Sequence, residues 1–362
     1  MNFDPINISI HRESHLNVLD CENEAWNEAI YSFPGHDIYD TAEYHRIASR
    51  NEGVDPRLFL FENAGYKMAL PLVLRPAPAK YRTDETWLDA SSVYGYPGPL
   101  ANTEEIPDDV RTCFQNALAN TLDNLKVVSV FSRLNPFRPF DSALAGLGEV
   151  SEVGSTITIC LAQSDEKRFA AYRQNHQDNI ARLRATQAET IADSSLSHLE
   201  EFKRMYRHNM IKCGAKPYYF FDDNYFCNIT SWLKGHVYFL VNKINDQMTS
   251  GALFLTLGDT VHAHLAATHE RFRSLAPLKL LFDDAACFFR ERGCRALHIG
   301  GGIGGSADSL FHFKSGFSKS FHPFRVWKWV VNEPHYETLC LSCGLERVPG
   351  FFPAYRRADD LV

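Results

Sequence analysis

Lys314 is a lone lysine among Phe311, Phe313 and Phe317, and it follows Gly300 to Gly305, where five of six residues are glycine. Glycine runs occur where main chain adopts positive φ or comes very close to another group. An ammonium on an aromatic turn beside such a run has little competing water. That combination suits a place where negative charge develops on a substrate oxygen. A loop shaped only for chain reversal would explain the glycines but not the lysine. The run also fits G-x-G-x-x-G. A dinucleotide fingerprint, however, needs an early βαβ unit and an acidic residue about 20 positions on. Here the glycines come late, and Phe324-Arg325 stands at the acidic position.

Other segments carry chemistry of their own. Arg271 and Arg273 lie directly before a predicted helix start at Pro277. Free N–H groups and the helix dipole favour a phosphate there, and two arginines strengthen the attraction. Solvated arginines on an exposed loop are the other reading. The equivalent loop of the first half holds Glu104, Glu105, Asp108 and Asp109, which would repel phosphate. His262 and His264 alternate on a strand and share a face. No third ligand offers itself, so no metal is expected, and His264 is read as a polar cleft residue and candidate base. Cys340 and Cys343 form a single C-x-x-C without a partner pair. A predicted helix over 166–188 bears Arg168, Arg173, Arg182 and Arg184. Its basic face either meets a phosphate-bearing ligand or is solvated. Tyr94 and Tyr96, between glycines and prolines in 89–100, form a packed corner or an acceptor-binding wall. No G-x-S-x-G, H-E-x-x-H or P-loop is present, which removes the usual hydrolase and nucleotidase signatures.

The elements that must position these residues repeat. The first half reads as helices over 22–31 and 41–50, strands over 57–61, 68–74 and 86–91, a helix from Pro107, and a strand over 126–131. The second reads as a strand over 155–161, helices over 166–188, 196–211 and 223–233, and strands over 237–242, 252–257 and 261–267. A helix from Pro277 and a strand into Gly300 close it. Both halves run helices, hairpin, strand, helix, strand, which implies duplication of one α/β unit. The expected units are 1–150 and 151–322, with a tail, 323–362, packing back on the first and a cleft between the two. The donor site is assigned to the second unit.

The chain has 362 residues, 45% of them hydrophobic, and a net charge of −7 at pH 7. Those values describe a globular protein that bulk electrostatics does not draw to DNA or to an anionic membrane. No signal peptide is read in the N-terminal stretch, and no membrane span is expected. Nine cysteines, an odd number, point to a reducing compartment, so the expected location is the cytoplasm.

Several segments, in order, resemble the Fem-type branch of the GNAT acyltransferase superfamily. They are HIGGGIGGSADSLFHFKSGFSKSFHPF, DASSVYGYPGPL, YRQNHQDNIARLRA and GALFLTLGDTVHAHLAATHERFRSLAPLKLLFDDA. The resemblance implies an α/β fold of two tandem GNAT-like units, each a mixed, mostly antiparallel sheet flanked by helices. It implies transfer of an acyl or aminoacyl group to an amine, with acyl-CoA or aminoacyl-tRNA as co-substrate and no tightly bound cofactor. The family's Phe-Lys motif maps onto Phe313 and Lys314. The long helical hairpin of many tRNA-dependent members is not evident. A phosphate-binding arginine of some members falls near Phe220 or Phe221, which carry no charge, and the acyl-CoA loop reads Arg273-Ser274-Leu275-Ala276-Pro277-Leu278.

The expected function is N-acyl or aminoacyl transfer to an amino sugar or a cell-envelope precursor. Lys314 would stabilise the oxyanion, and Gly301, Gly302 and Gly304 would let substrate approach the main chain beside Phe313. Tyr94, Tyr96 and Arg182 would face substrate, and Arg271 and Arg273 would meet donor phosphate. Partners are the small-molecule or envelope-precursor acceptor, and tRNA if the donor is aminoacyl-tRNA. The alternative is a non-catalytic GNAT-like module that binds an envelope precursor or a protein.

Overall fold

A computed structural model describes residues 16–78, 86–138, 140–344 and 351–358. The N-terminal stretch read for a signal lies mostly outside them. The first half contains β1 (Leu16–Asp20), α1 (Ala25–Ser32), α2 (Ala42–Glu52), β2 (Asp55–Asn63), β3 (Tyr66–Pro76), β4 (Leu88–Ser91), β5 (Leu100–Ala101), α3 (Asp108–Asn124) and β6 (Val127–Arg133). The second begins with β7 (Glu149–Cys160), α4 (Asp165–Ala170), α5 (Gln174–Ala185), β8 (Glu189–Ala192), α6 (Leu199–Lys212) and α7 (Asp223–Trp232). It continues through β9 (Val237–Ile244), β10 (Gln247–Leu257), β11 (Thr260–Thr268), α8 (Leu278–Glu291), β12 (Ala296–Gly301) and α9 (Ser309–Lys314). Then come β13 (Ser320–Val330) and α10 (Glu333–Ser342).

Local chemistry explains these boundaries. The Thr41 side chain caps α2, and Gly53, at φ 64°, ends it in the left-handed region. Helix α3 follows Pro107 and buries Val110, Phe114, Leu118 and Leu122, one stripe at helical spacing. The helix predicted over 166–188 is two helices instead. Between α4 and α5, Tyr172 turns into the core, and the Arg173 amide donates to the Gly316 carbonyl at 2.8 Å rather than continuing the helix.

All strands of the described residues join one sheet, in the order β1-β2-β3-β4-β6-β13-β7-β12-β11-β10-β9-β8, with β5 beside β3. Neighbours are antiparallel except for β4 with β6 and β11 with β12, so the two halves repeat one pattern from each outer edge inward. Each parallel pair is bridged by a helix, α3 or α8, as parallel pairing requires. One strand then crosses between the halves. Strand β7 pairs with β12 of its own half, while β13 returns from the second half to pair with β6. These two strands pair with each other at the centre. No strand edge separates the halves, so the expected cleft does not cut the sheet.

Packing follows the same plan. One core joins α3 to the first half of the sheet and includes Trp327 of β13. A second joins α5, α8 and Phe317 to the other half. A third is shared: Ile38, Tyr44 and Val73 pack with Phe202, Phe226 and Leu253. Tyr336 and Leu339 of α10 cover Val128 of β6. The helices of the second core take one face of the second half-sheet. Helices α6 and α7 take the other, together with α2 and the turn over Ile38–Asp40 from the first half.

Candidate active site

The site lies where β12 leaves the sheet. The parallel ladder between β11 and β12 runs only from Thr260–Ala296 to His262–His298. Beyond it β11 continues to Thr268 and β12 to Gly301, so the strands part and leave main-chain groups unpaired between them. Gly300 lies at φ 69° in the irregular register that follows His298. The loop then closes on Asp308, whose carboxylate accepts from the amides of Ile303 and Phe311, both at 2.9 Å. The second of these bonds caps α9, which ends in Lys314.

Lys314 is half-buried and donates to the Gly301 carbonyl at 2.8 Å. A Cβ built on Gly300 would lie 3.2 Å from the Lys314 Nζ and 3.3 Å from the Tyr96 hydroxyl, so both polar tips face the same bare stretch of main chain. Burial pulls the ammonium down to about 8, with Asp308 partly opposing the fall. Burial pushes the Tyr96 phenol up to about 12. Phe313 packs behind Lys314, and its carbonyl holds His176 Nε2 at 2.9 Å.

The other glycines divide by role. A Cβ on Gly301 would meet the Ser155 carbonyl at 2.4 Å, and one on Gly302 would meet the Ser306 carbonyl at 1.9 Å and Asp308 Oδ1 at 2.6 Å. Their bareness is therefore used inside the protein, by β7 and by the loop itself. Gly304 has open space around its Cα. Gly300, which the sequence reading passed over, is the glycine that faces Lys314. Gly302→Ala should cost about 1–3 kcal/mol by overpacking the Asp308 cap, read as a lower urea midpoint. Gly304→Ala should spare the packing and meet only the penalty of its positive φ, 61°.

The tyrosines stand at the junction of the halves. Tyr39 fits against Gly95, where a Cβ would fall 2.4 Å from its ring. The Tyr96 ring lies 4.8 Å from His298 and 6.3 Å from Tyr39. Tyr94 meets Tyr218, Tyr219 and Phe221. The half-buried Arg133 guanidinium faces these rings and has no carboxylate within ion-pair distance among the described residues. The sequence offered no signal for it beyond an arginine at a strand end.

His264 is fully enclosed. Its Nδ1 lies 3.3 Å from the Tyr39 hydroxyl and its Nε2 2.6 Å from that of Tyr225. Burial, with His262 nearby, pulls its imidazole down to about 3. Both nitrogens are occupied, so the base role read for it from the strand pattern does not survive. Its neighbour is wired differently. His262 Nε2 reaches Asp37 Oδ2 at 2.8 Å, and His262 Nδ1 meets His298 Nδ1 at 3.0 Å. Burial alone would raise the Asp37 carboxyl, but His262, Arg138 and the Tyr39 amide hold it down at about 2. Burial, His262 and Lys314 together keep His298 well below the usual imidazole range. Among the described residues no cluster of His, Cys, Asp and Glu is arranged to hold a metal.

Arg271 and Arg273 are exposed, on a 3-10 turn over 270–275 that leads into α8. Ala276 holds φ 50°, and Pro277 offers no N–H at the helix start. Arg182 is exposed on α5, and its charge acts on Lys279 in the first turn of α8, as does that of Arg173. Arg182 thus belongs with the start of α8 and not with the tyrosine wall. The other arginines of that segment are engaged within the chain. Arg168 is buried against Asp165, Asp283 and Cys287, Arg184 bridges Asp283 and Asp284, and Arg173 holds His312 and Ser315.

Residues 170–315 match the family model of the acetyltransferase (GNAT) domain. The chain carries a GNAT-type acyltransferase domain. That domain contains β8 to β12, α5 to α9 and Lys314. FemX superposes on 89% of this chain and 99% of its own, with a TM-score of 0.64 and 13% identity. L-PGS from Bacillus licheniformis covers 86% of this chain and 93% of its own, at 0.54 and 12% identity. The C-terminal domain of a putative lysylphosphatidylglycerol synthetase from Agrobacterium fabrum covers 84% and 90%, at 0.52 and 12% identity. At these identities the likeness is one of fold: two GNAT-like units in a mixed, mostly antiparallel sheet. No curated protein matches the chain by sequence. No helix of the described residues is long and apolar enough to cross a membrane.

Proposed function

We propose that this protein transfers an acyl or aminoacyl group from acyl-CoA or aminoacyl-tRNA to the amine of an amino sugar or cell-envelope precursor, in the cytoplasm. The observation that carries this reading is the Lys314 ammonium, anchored on the Gly301 carbonyl and facing the bare Gly300 main chain beside Tyr96. Attack of an amine on an ester or thioester carbonyl gives a tetrahedral oxyanion. A preorganised ammonium in a water-poor site stabilises that charge more than water does. The donor enters where β11 and β12 part, with Arg271 and Arg273 at the phosphate end. The acceptor lies along Tyr94 and Tyr96. In this reading residues 1–150 with 323–362 form the acceptor-side unit, and 151–322 the donor unit.

The test is incubation with acetyl-CoA, longer acyl-CoAs and aminoacyl-tRNA against a panel of amino sugars and nucleotide-linked amino sugars. Mass spectrometry should find one acceptor heavier by one acyl group. A panel that yields no acylated amine while the protein is folded defeats the proposal.

A further inference from the structure

Asp37, His262 and His298 form a buried line that joins the two halves and, among the described residues, ends on an unpartnered nitrogen. Asp37 comes from the loop between α1 and α2, His262 from β11 and His298 from β12. His298 is 1% exposed, and its Nε2 has no hydrogen-bond partner among the described residues. The hydroxyls of Thr156 and Thr158 are also buried and unpartnered. Thr158 is the register partner of His298, so the two side chains share a face, and Thr156 follows on it two residues away. Leaving such groups unpaired costs about 1–3 kcal/mol each.

The hydrogen bonds decide the tautomers. An ionised Asp37 accepts, so His262 carries its proton on Nε2 and presents a bare Nδ1. The 3.0 Å contact then needs a proton from His298 Nδ1. That leaves His298 Nε2 a bare lone pair. Asn135 also reaches Asp37 Oδ2 at 3.3 Å, and the Arg138–Asp40 pair braces the loop that bears it. The groups acting on His298 are His262, Lys314, Asp37 and His322. Above it stand Tyr96 at 4.8 Å and Phe137 at 5.1 Å, two half-buried rings from first-half loops.

We infer that His298 Nε2 accepts the proton of the attacking amine, with His262 and Asp37 as the positioning residues that carry the charge away. This rests on the acyl-transfer reading given above. As the amine nitrogen bonds to the donor carbonyl carbon, its proton passes to His298 Nε2. His298 releases its Nδ1 proton to His262, so the positive charge settles beside the Asp37 carboxylate. When the tetrahedral intermediate collapses, the bond from carbon to sulfur or oxygen breaks. The same proton returns through His298 to the leaving thiolate or alkoxide. Products are the amide and the free thiol or alcohol, and all three side chains regain their starting states. The approach of the amine requires Tyr96 or Phe137 to rotate.

Nitrogen-15 histidine NMR on the whole protein tests the wiring without any substrate. Resonances are assigned with His262→Gln and His298→Gln. His298 should show a protonated Nδ1 and a bare Nε2 at pH 7, and Asp37→Asn should disturb that pattern through His262. A proton found on His298 Nε2 in the resting protein overturns the proposal. The kinetic arm uses acetyl-CoA with two acceptors, glucosamine and hydroxylamine. Both nitrogens must shed a proton as they bond to the carbonyl carbon, so His298→Gln should lose about 100-fold in kcat with either, with KM little changed. A His298→Gln variant that keeps wild-type kcat with both acceptors would overturn the relay. Absence of transfer by the wild type, with the expected tautomers present, would count against the acyl-transfer reading instead.

Discussion

Lys314→Ala should lower turnover by about 100-fold or more, with the far-UV spectrum and the urea midpoint nearly unchanged, because one donor to a developing oxyanion is worth roughly that factor. The fold argument is specific. Lys314 ends α9, is half-buried, and among the described residues donates to the Gly301 carbonyl. Removing it leaves an acceptor that the parted strands can hydrate. Lys314→Arg should restore little, since a planar fork cannot occupy the space of a compact ammonium between Gly300 and Tyr96. Wild-type rates in the alanine variant would remove the lysine from the chemistry.

The same residue sets a pH limit. A free lysine titrates near about 10.4. Burial brings Lys314 to about 8, so its ammonium is present below that value and is lost as pH rises through it. The rate with a neutral acceptor such as hydroxylamine should therefore fall on the alkaline side, with an apparent midpoint near 8. A rate with hydroxylamine that stays flat up to pH 10 would contradict the role.

Much of this architecture was readable from local pattern. Most helix stripes and hairpins follow from spacings of two or of three and four residues, which the chain carries within a dozen positions, while the short strands β1, β5 and β8 and the break between α4 and α5 do not. The Phe313–Lys314 turn and its glycines were visible for the same reason. What escaped was set by distant partners. Asp37 and His262 are 225 residues apart, and nothing near either residue announces the other. The tail was expected against the first half, but the pairing of β13 with β7, which joins the two half-sheets, depends on residues about 170 positions apart. The basic segment 166–188 carried no sign of its pairing, because Asp283 and Asp284, which hold Arg184 and share Arg168 with the nearby Asp165, lie on α8, about a hundred residues on. Even His264 was placed correctly on its strand. Only the tyrosines from α7 and from the first half show that both its nitrogens are taken.

Arg138→Met should cost about 3–5 kcal/mol, the loss expected when one member of a buried ion pair is removed and the other charge stays. Arg138 and Asp40 are bonded twice, Nη1 to Oδ2 at 2.8 Å and Nη2 to Oδ1 at 3.1 Å, with side chains 4% and 0% exposed. Asp40 also accepts from the Asp37 amide at 2.8 Å, so the pair fixes the short turn that delivers Asp37 and Tyr39 to the second half. Burial already pushes the Asp40 carboxyl up, and Arg138 opposes that rise. Without the arginine the carboxyl rises further and sits above its unfolded value. The variant then keeps its stability where Asp40 is protonated and loses it as pH climbs through the raised folded value. Urea unfolding of wild type and variant should show a small gap at pH 5 and a wide one at pH 8. Adding Asp40→Asn to Arg138→Met should recover part of the loss at pH 8, because no ionised carboxylate is then left buried. Equal gaps at both pH values, or strictly additive losses in the double variant, would show that the pair neither carries buried charge nor braces the turn beneath His262.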